Sequence, residues 1–229
     1  MARVCVFDVN ETLLDLGGLD LEFTRVFGTP ALRQAWFTQL LQSAMVSTIT
    51  GSYSTFGRIG ASALDMIAAR QGIELREADR QAILAGMRRL PPHADVHAGL
   101  QRLRDAGIRL AALTNSTLEV AEEQLRNAGL TAYFEQILSA DTVRRLKPAP
   151  EPYHMAADRL AVEPSMVRLV AAHAWDVTGA LRAGCAAAFV GRPGQVLDPL
   201  VPRPDVVGSN MREVVDQILF CEQVAPFSA

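Results

Sequence analysis

The 229-residue sequence predicts an α/β fold in which helices flank a parallel β-sheet, with a helical segment inserted after the first strand. Three observations support this prediction. The chain begins with a run of β-branched and aromatic residues that lacks Gly and Pro, which is typical of a buried strand. Its second half alternates short apolar segments with helix-like segments. Between these two regions, the alternation is interrupted by a stretch with helical periodicity alone.

The first strand is predicted at residues 2–9, and residues 16–89 then read as consecutive helices closed by a Pro-Pro pair. A helical segment inserted at this point stands over the C-terminal edge of the sheet, where open α/β sheets bind ligands. We therefore expect two domains. Residues 16–89 form a helical-bundle domain, and residues 1–15 and 90–229 form the α/β core.

Four further strands are predicted in the second half, at Ile108–Leu113, Ile137–Ala140, Val167–Ala172 and Ala186–Val190. Three helices of this region end in an Ala-Gly pair, with the glycines at Gly107, Gly129 and Gly184. A glycine at the end of a helix adopts the left-handed conformation that lets the chain return to the sheet. This alternation predicts parallel strands joined by right-handed crossovers.

The composition excludes several classes of protein. Lys and Arg total 22 against 25 Asp and Glu, a formal charge of -3, which provides no polycationic face for nucleic acid or an anionic membrane. The N-terminus does not resemble a signal peptide, and no apolar stretch approaches the length of a membrane span. The three cysteines are far apart and have no metal-ligand spacing. We expect a cytoplasmic protein that binds neither nucleic acid nor membrane.

Polar residues follow the predicted strands at the sheet edge that binds ligands. Asp8 ends the first strand, Thr114 and Asn115 end the second, and Lys147 and Asp176 follow two later strands. A carboxylate at a strand's C-terminal end is well placed to attack a substrate in the crevice. Taken alone, Asp8 has an alternative role as the N-cap of a following helix. The four signals together favour catalysis.

This order of carboxylate, hydroxyl and amide pair, lysine and second carboxylate resembles the haloacid dehalogenase superfamily, whose fold is a Rossmann-like sheet with an inserted helical cap. Most members are Mg²⁺-dependent phosphatases with an Asp-x-Asp start and a late Gly-Asp motif. Here Asn10 replaces the second aspartate of the start, and Ala172 replaces the first late aspartate. An amide is no general acid near neutral pH, and alanine offers Mg²⁺ no side-chain oxygen. A Mg²⁺-dependent phosphatase is therefore the alternative, and a binding or regulatory relic of the superfamily is a third hypothesis.

The sequence further resembles the type II branch, the L-2-haloacid dehalogenases. That branch has an Arg-Gln pair in its cap, a tyrosine six residues after the lysine, and a late Ala-Trp-Asp. Three positions depart from it, because well-known members have tyrosine in place of Asn10, and serine and asparagine in place of Ala171 and His173. The matching residues here, together with two aromatic residues expected to line the pocket, are Arg33, Gln34, Tyr153, Trp175, Asp176, Phe37 and Phe56.

The resemblance implies hydrolysis of short (S)-2-haloacids to (R)-2-hydroxyacids, with haloacetates and fluoroacetate as further candidate substrates. It implies Asp8 as the nucleophile, without a metal or other cofactor, in a chain that forms a homodimer. Lys147 and Thr12 would orient Asp8, and Arg33 would receive the halide. The expected substrate-binding residues are Asn10, Gln34, Phe37, Phe56, Thr114, Asn115, Tyr153 and Trp175.

Several of these residues also have structural explanations. Lys147 and Arg33 could be solvated surface residues, and Tyr153 and Trp175 could serve core packing. His173 could be a hydrogen-bonded structural residue. Its place at the active edge also supports two hypotheses, that it donates a hydrogen bond to the departing halide, or that it helps Asp176 position the hydrolytic water.

Overall fold

A computed structural model describes residues 3–222 and confirms the predicted fold class; the ends of the expected core domain, 1–2 and 223–229, lie outside the described residues. The strands are β1 (Val4–Phe7), β2 (Leu110–Thr114), β3 (Gln136–Ser139), β4 (Val167–Ala171), β5 (Ala186–Val190) and β6 (Val206–Gly208). The helices are α1 (Asp20–Phe27), α2 (Ala31–Ile49), α3 (Phe56–Gln71), α4 (Glu77–Gly86), α5 (Val96–Asp105), α6 (Leu118–Asn127), α7 (Pro150–Leu160), α8 (Ala174–Arg182) and α9 (Met211–Cys221).

The strands form one parallel sheet in the order β3-β2-β1-β4-β5-β6. Side chains of β1 alternate between two apolar cores, with Val4 and Val6 on one face and Cys5 and Phe7 on the other. Because both faces of the sheet are covered, the strand is apolar throughout, and it can therefore be recognised as a buried strand in the sequence. The strand order reverses between β1 and β4, and a crevice for ligands opens at this point in sheets of this topology.

Most predicted strand bounds agree with the structure to within two residues, and β5 agrees at both ends. β2 begins at Leu110 rather than Ile108, because Ile108 still closes the preceding helix by donating its backbone N–H to Leu103 O at 3.0 Å. Gly107 has a φ of 74°, as its place at a helix end requires. The sequence analysis missed β6, a three-residue strand at the sheet's edge with too few residues for a periodic pattern.

Residues 16–89 fold into α1 to α4 with two 3₁₀ turns, as the helical periodicity predicted. Helices α2 and α3 pack closely, because Gly60 lets the Trp36 indole donate to its carbonyl oxygen at 2.9 Å. A Cβ at Gly60 would lie 3.1 Å from the Leu40 side chain, so a larger residue would force the helices apart. The division into two domains remains a prediction. Within residues 3–222, no helix is both long and apolar enough to span a membrane.

Candidate active site

Asp8 lies directly after β1, at the point where the strand order reverses. Its backbone N–H donates to Val170 O of β4 at 3.0 Å, so the ladder continues one residue past the strand and fixes the backbone of Asp8. The side chain is 8% exposed. The sheet therefore presents one nearly buried carboxylate at the crevice, as the sequence predicted.

Lys147 lies between Asp8 and the second predicted carboxylate. Its Nζ is 2.9 Å from Asp8 Oδ1, 2.6 Å from Asp176 Oδ2 and 3.0 Å from Leu113 O, so each of its three protons has an acceptor. The side chain of Asn115 holds the lysine loop, accepting from Lys147 N at 2.8 Å and donating to Lys147 O at 3.2 Å. The ammonium of Lys147 is buried and fully hydrogen-bonded. The alternative that Lys147 is a solvated surface residue is therefore excluded.

Thr12 holds the other oxygen of Asp8. Its hydroxyl donates to Asp8 Oδ2 at 2.7 Å and accepts from Ala172 N at 3.0 Å, which ties the loop after β1 to the end of β4. The guanidinium of Arg192 donates to the backbone oxygen of Thr12, and it also forms an ion pair with Asp95 at 2.8 Å. Both oxygens of Asp8 are therefore held by donors that are themselves fixed.

His173 lies beside Asp8, with Nδ1 at 3.5 Å from Asp8 Oδ2 and Nε2 at 2.7 Å from Glu11 Oε2. The Trp175 ring stacks on the imidazole with centroids 5.2 Å apart, and Phe37 of α2 approaches it at 6.1 Å. Glu11 has a φ of 62°, a left-handed conformation that costs a residue with a side chain about 1–2 kcal/mol. Strain of this kind is concentrated at functional sites.

The charges in this cluster shift one another's pKa values. Burial by itself would raise the pKa of Asp8, but Lys147, His173 and Thr12 together hold it well below its usual range. Burial would lower the pKa of His173, yet its contacts with Asp8 and Glu11 raise it to about 9. At neutral pH the site thus contains an ionised Asp8 next to an imidazolium.

Asp176 is the more basic of the two carboxylates. Burial and the negative charge of Asp8 raise the pKa of Asp176, and Lys147 offsets only part of this shift. Its Oδ1 accepts from the Tyr153 hydroxyl at 2.6 Å, and its Oδ2 accepts from Lys147. Tyr153 therefore joins the polar network through its hydroxyl while its ring packs in the core. Nζ of Lys147 also lies 5.9 Å from the Trp175 ring centroid, which places that indole against the cluster.

The side chain of Asn10 is bonded to α6 and the loop before it rather than to Asp8. Its Nδ2 donates to Ser116 Oγ at 3.5 Å, and its Oδ1 accepts from Gln124 Nε2 at 3.0 Å. Both partners line a cavity of about 500 Å³ between α2 to α4 and the start of α6, and Phe56 lines it as well. The predicted substrate-binding residues Asn10 and Phe56 thus lie at or next to one cavity.

Two predicted residues are not brought to Asp8 among the described contacts. The Nε atom of Arg33 pairs with Asp20 Oδ1 at 2.6 Å, because the carboxylate at the start of α1 lies within reach. Gln34 is exposed and lines a separate pocket of about 500 Å³ along α2. Thr114 and Asn115 lie at the correct edge, but the hydroxyl of Thr114 accepts from Ser116 N and the amide of Asn115 serves Lys147. Each side chain therefore has a structural contact, but the O–H proton of Thr114 has no acceptor among the described hydrogen bonds.

Glu11, Gln124 and Arg192 were missed by the sequence analysis. Glu11 follows the nucleophile by three residues, and its left-handed backbone cannot be read from residue type. Gln124 lies on a helix that looks like a solvated amphipathic helix, although its side chain is fully buried. Arg192 lies in the irregular loop after β5, where no periodic pattern exists.

The residues at the site do not fit Mg²⁺. The position of the first late carboxylate is Ala172, which offers no side-chain oxygen, and cationic nitrogens of Lys147 and His173 face the two oxygens of Asp8. Within the part of the chain that the structure describes, no three His, Cys, Asp or Glu side chains are arranged to hold a metal ion.

An ionised carboxylate thus lies at the reversal point of a doubly wound sheet, where a buried lysine bridges it to a second carboxylate. The chain belongs to the haloacid dehalogenase-like hydrolases, because the model of that family matches residues 2–184.

Individual relatives agree with this family. The chain is 33% identical over 180 residues to (S)-2-haloacid dehalogenase 1 of Pseudomonas sp. (strain CBS-3), covering 78% of this chain and 79% of that protein. It is 29% identical over 221 residues to (S)-2-haloacid dehalogenase 2 of the same strain, covering 95% and 96%. The solved L-2-haloacid dehalogenase from Xanthobacter autotrophicus is similar with a TM-score of 0.89 at 25% identity, covering 95% and 98%. These relatives confirm the resemblance to the type II branch.

Proposed function

We propose that this enzyme hydrolyses the carbon–halogen bond of short (S)-2-haloacids through a covalent ester on Asp8. The main support is the geometry of Asp8, whose two oxygens are held by Lys147 and Thr12 at 2.9 and 2.7 Å. These contacts keep the carboxylate ionised and oriented, which a nucleophile requires. The similarity to proteins named (S)-2-haloacid dehalogenases supports the class of substrate.

The proposed reaction has two steps. A carboxylate oxygen of Asp8 attacks the halogen-bearing carbon in line and expels halide, which inverts the configuration and leaves an ester. Water then adds to the Cγ carbon of Asp8, and the bond between Cγ and the substrate oxygen breaks. The products are a 2-hydroxyacid of (R) configuration and the restored carboxylate.

Substrate binding in this proposal uses groups around Asp8 that are free to bind. The hydroxyl of Thr114 and the backbone N–H of Asn115 hold the substrate carboxylate, while Phe37 and Trp175 provide the apolar side. Arg33 exchanges Asp20 for the departing halide, where a fixed cation in a water-poor site stabilises developing charge. Haloacetates and fluoroacetate belong to the same proposal, because they share the carboxylate and the adjacent carbon–halogen bond.

The test is halide release from (S)-2-chloropropionate, chloroacetate and fluoroacetate with EDTA present, for the wild type and for Asp8→Asn. We expect release by the wild type and a loss on the order of 10⁴-fold or more in the variant, as removal of a covalent nucleophile typically costs. The lactate formed from (S)-2-chloropropionate should be the (R) enantiomer by chiral chromatography. Activity on phosphate esters that requires added Mg²⁺, with no halide released, would instead establish the phosphatase alternative.

A further inference from the structure

The pair formed by His173 and Glu11 is not needed to hold Asp8, which Lys147 and Thr12 already do. His173 is 4% exposed, and its Nδ1 has no hydrogen-bond partner within residues 3–222. That nitrogen is the one directed at Asp8, at 3.5 Å from Oδ2. A buried polar nitrogen without a partner is unfavourable unless a reactant or water completes it.

Glu11 fixes which nitrogen of the ring is free. A carboxylate only accepts hydrogen bonds, so Nε2 of His173 must keep its proton toward Glu11 Oε2 at 2.7 Å. Gln195 also donates to Glu11 Oε2 at 3.3 Å, and the stacked Trp175 limits rotation of the imidazole. When His173 is neutral, Nδ1 is therefore the basic atom, and it faces the reacting carboxylate.

We infer that His173 is the general base that activates water for hydrolysis of the Asp8 ester, and that Glu11 is the residue that positions it. This inference rests on the proposed ester at Asp8. It assigns a function to the unpartnered Nδ1 and to the strained backbone of Glu11, neither of which the first step uses.

The position of His173 favours this role over hydrogen bonding to the halide. In an in-line displacement the halide leaves from the side of the carbon opposite the attacking oxygen. His173 lies beside the attacking carboxylate, within reach of a water that approaches Asp8 Cγ. Asp176 is fully buried and both of its oxygens are held, by Tyr153 and Lys147, whereas Nδ1 of His173 has no hydrogen-bond partner within residues 3–222.

The proton balance begins with His173 protonated. Formation of the ester removes the negative charge of Asp8, so the imidazolium loses one of the two anions that raise its pKa. His173 then releases its Nδ1 proton to solvent. This is the one proton that the net reaction, haloacid plus water to hydroxyacid plus halide plus proton, must produce.

Neutral Nδ1 next takes a proton from water while the hydroxide adds to Asp8 Cγ. The tetrahedral intermediate collapses, the bond from Cγ to the substrate oxygen breaks, and His173 returns its proton to the departing alkoxide. Asp8 is then a carboxylic acid, and it passes its proton to His173. Both groups are back in their starting states, with one water consumed.

The experiment is a rapid-quench time course with excess (S)-2-chloropropionate, following chloride per active site and the intact mass of the protein. The variants are His173→Asn, Glu11→Gln and Asp176→Asn, with His97→Asn as the matched control on the exposed start of α5. For His173→Asn we expect a burst of one chloride per site, an accumulated ester, and steady turnover slower by about 10²–10⁴-fold, as loss of a general base costs. Glu11→Gln should show the same pattern with a smaller loss and a shifted pH profile for ester hydrolysis.

Other outcomes have distinct meanings. Equal slowing of the burst and of turnover in His173→Asn, without ester, would overturn the assignment while leaving the proposed function intact. Ester accumulation in Asp176→Asn but not in His173→Asn would assign the base to Asp176. No chloride from the wild type on any haloacid would refute the proposed function, and with it this inference. His97→Asn should match the wild type throughout.

Discussion

Two clusters, each built around a buried cation, lie at opposite ends of the strands. They differ in how completely their polar groups are hydrogen-bonded. At the end away from the crevice, Arg168 of β4 is fully buried. It donates to Asp205 at 2.6 and 2.9 Å, to Glu222 at 2.9 and 3.1 Å, and to Ala187 O at 3.3 Å. Each nitrogen of the guanidinium has an acceptor, and the backbone around it is unstrained. Such a cluster joins the sheet to the end of the described chain and nothing more.

The cluster at the crevice is built differently. Lys147 is as fully bonded as Arg168, but two other features differ: Nδ1 of His173 has no hydrogen-bond partner within residues 3–222, and Glu11 is held in a left-handed conformation. Each of these features costs folding free energy that a better-satisfied arrangement would avoid. The contrast shows that an unpartnered polar group and backbone strain, rather than burial of charge, distinguish the proposed catalytic end of the sheet from the structural end.

The largest change in stability is expected at the satisfied cluster. Arg168→Met leaves Glu222 with Arg3 alone and the half-exposed Asp205 with water. Because a hydrogen bond to a charged group contributes about 1.5–3 kcal/mol, we expect the loss of these contacts to lower the free energy of unfolding by about 3–4 kcal/mol. Chemical denaturation measures this loss. Because Arg168 lies roughly 10 Å from Ala171 at the end of β4 on strand geometry, kcat of the folded fraction should not change.

Lys147→Met is the matched variant at the crevice. It leaves buried carboxylates without a counterion, so unfolding should again become easier, but halide release should be lost as well. If Arg168→Met reduced kcat of the folded protein as strongly as Lys147→Met does, the distinction between the two ends would be wrong.

A smaller effect is expected from His173 at alkaline pH. Its pKa is raised from 6.5 to about 9 in the folded state, so its contribution to stability is fully present below pH 6.5 and is lost as pH rises through about 9. A shift of this size corresponds to about 3 kcal/mol. The charged groups that face it are Asp8 and Glu11, with Lys147 across the Trp175 ring.

The measurement is the free energy of unfolding from pH 6 to pH 10 for the wild type and His173→Asn. The difference between the two should shrink steadily as pH rises, since the variant cannot lose this proton. A difference that stays constant over the whole range would mean that His173 is not a buried imidazolium in the folded protein.

The fold and the cluster around Asp8 could be predicted from the sequence because both leave regular signals. Strands buried on both faces form continuous apolar runs, and glycine marks the helix ends, so the sheet could be assembled before its geometry was known. Asp8, Lys147 and Asp176 were predictable because residues that follow parallel strands must meet at one edge. The structure brings these three together within 3 Å contacts.

The remaining site residues depend on details that residue type does not determine. Glu11 contributes through a backbone conformation unusual for glutamate, and Gln124 through the inward face of a helix that looks solvated. Arg33 was placed by resemblance alone, and a long side chain pairs with whatever carboxylate lies within reach, here Asp20. The side chain of Asn115 was expected to hold substrate but holds the lysine loop, because only the fold shows how near Lys147 lies.

The most direct test of the central claim, covalent catalysis by Asp8, is a single turnover of (S)-2-chloropropionate in water labelled with ¹⁸O, using enzyme in excess. Mass spectrometry of the peptide that contains Asp8 and of the lactate product then locates the label. The account predicts ¹⁸O in the Asp8 carboxylate and an unlabelled hydroxyl in lactate, because the product oxygen comes from the enzyme. Label in the lactate hydroxyl, with Asp8 unlabelled, would show direct attack by water and contradict the account.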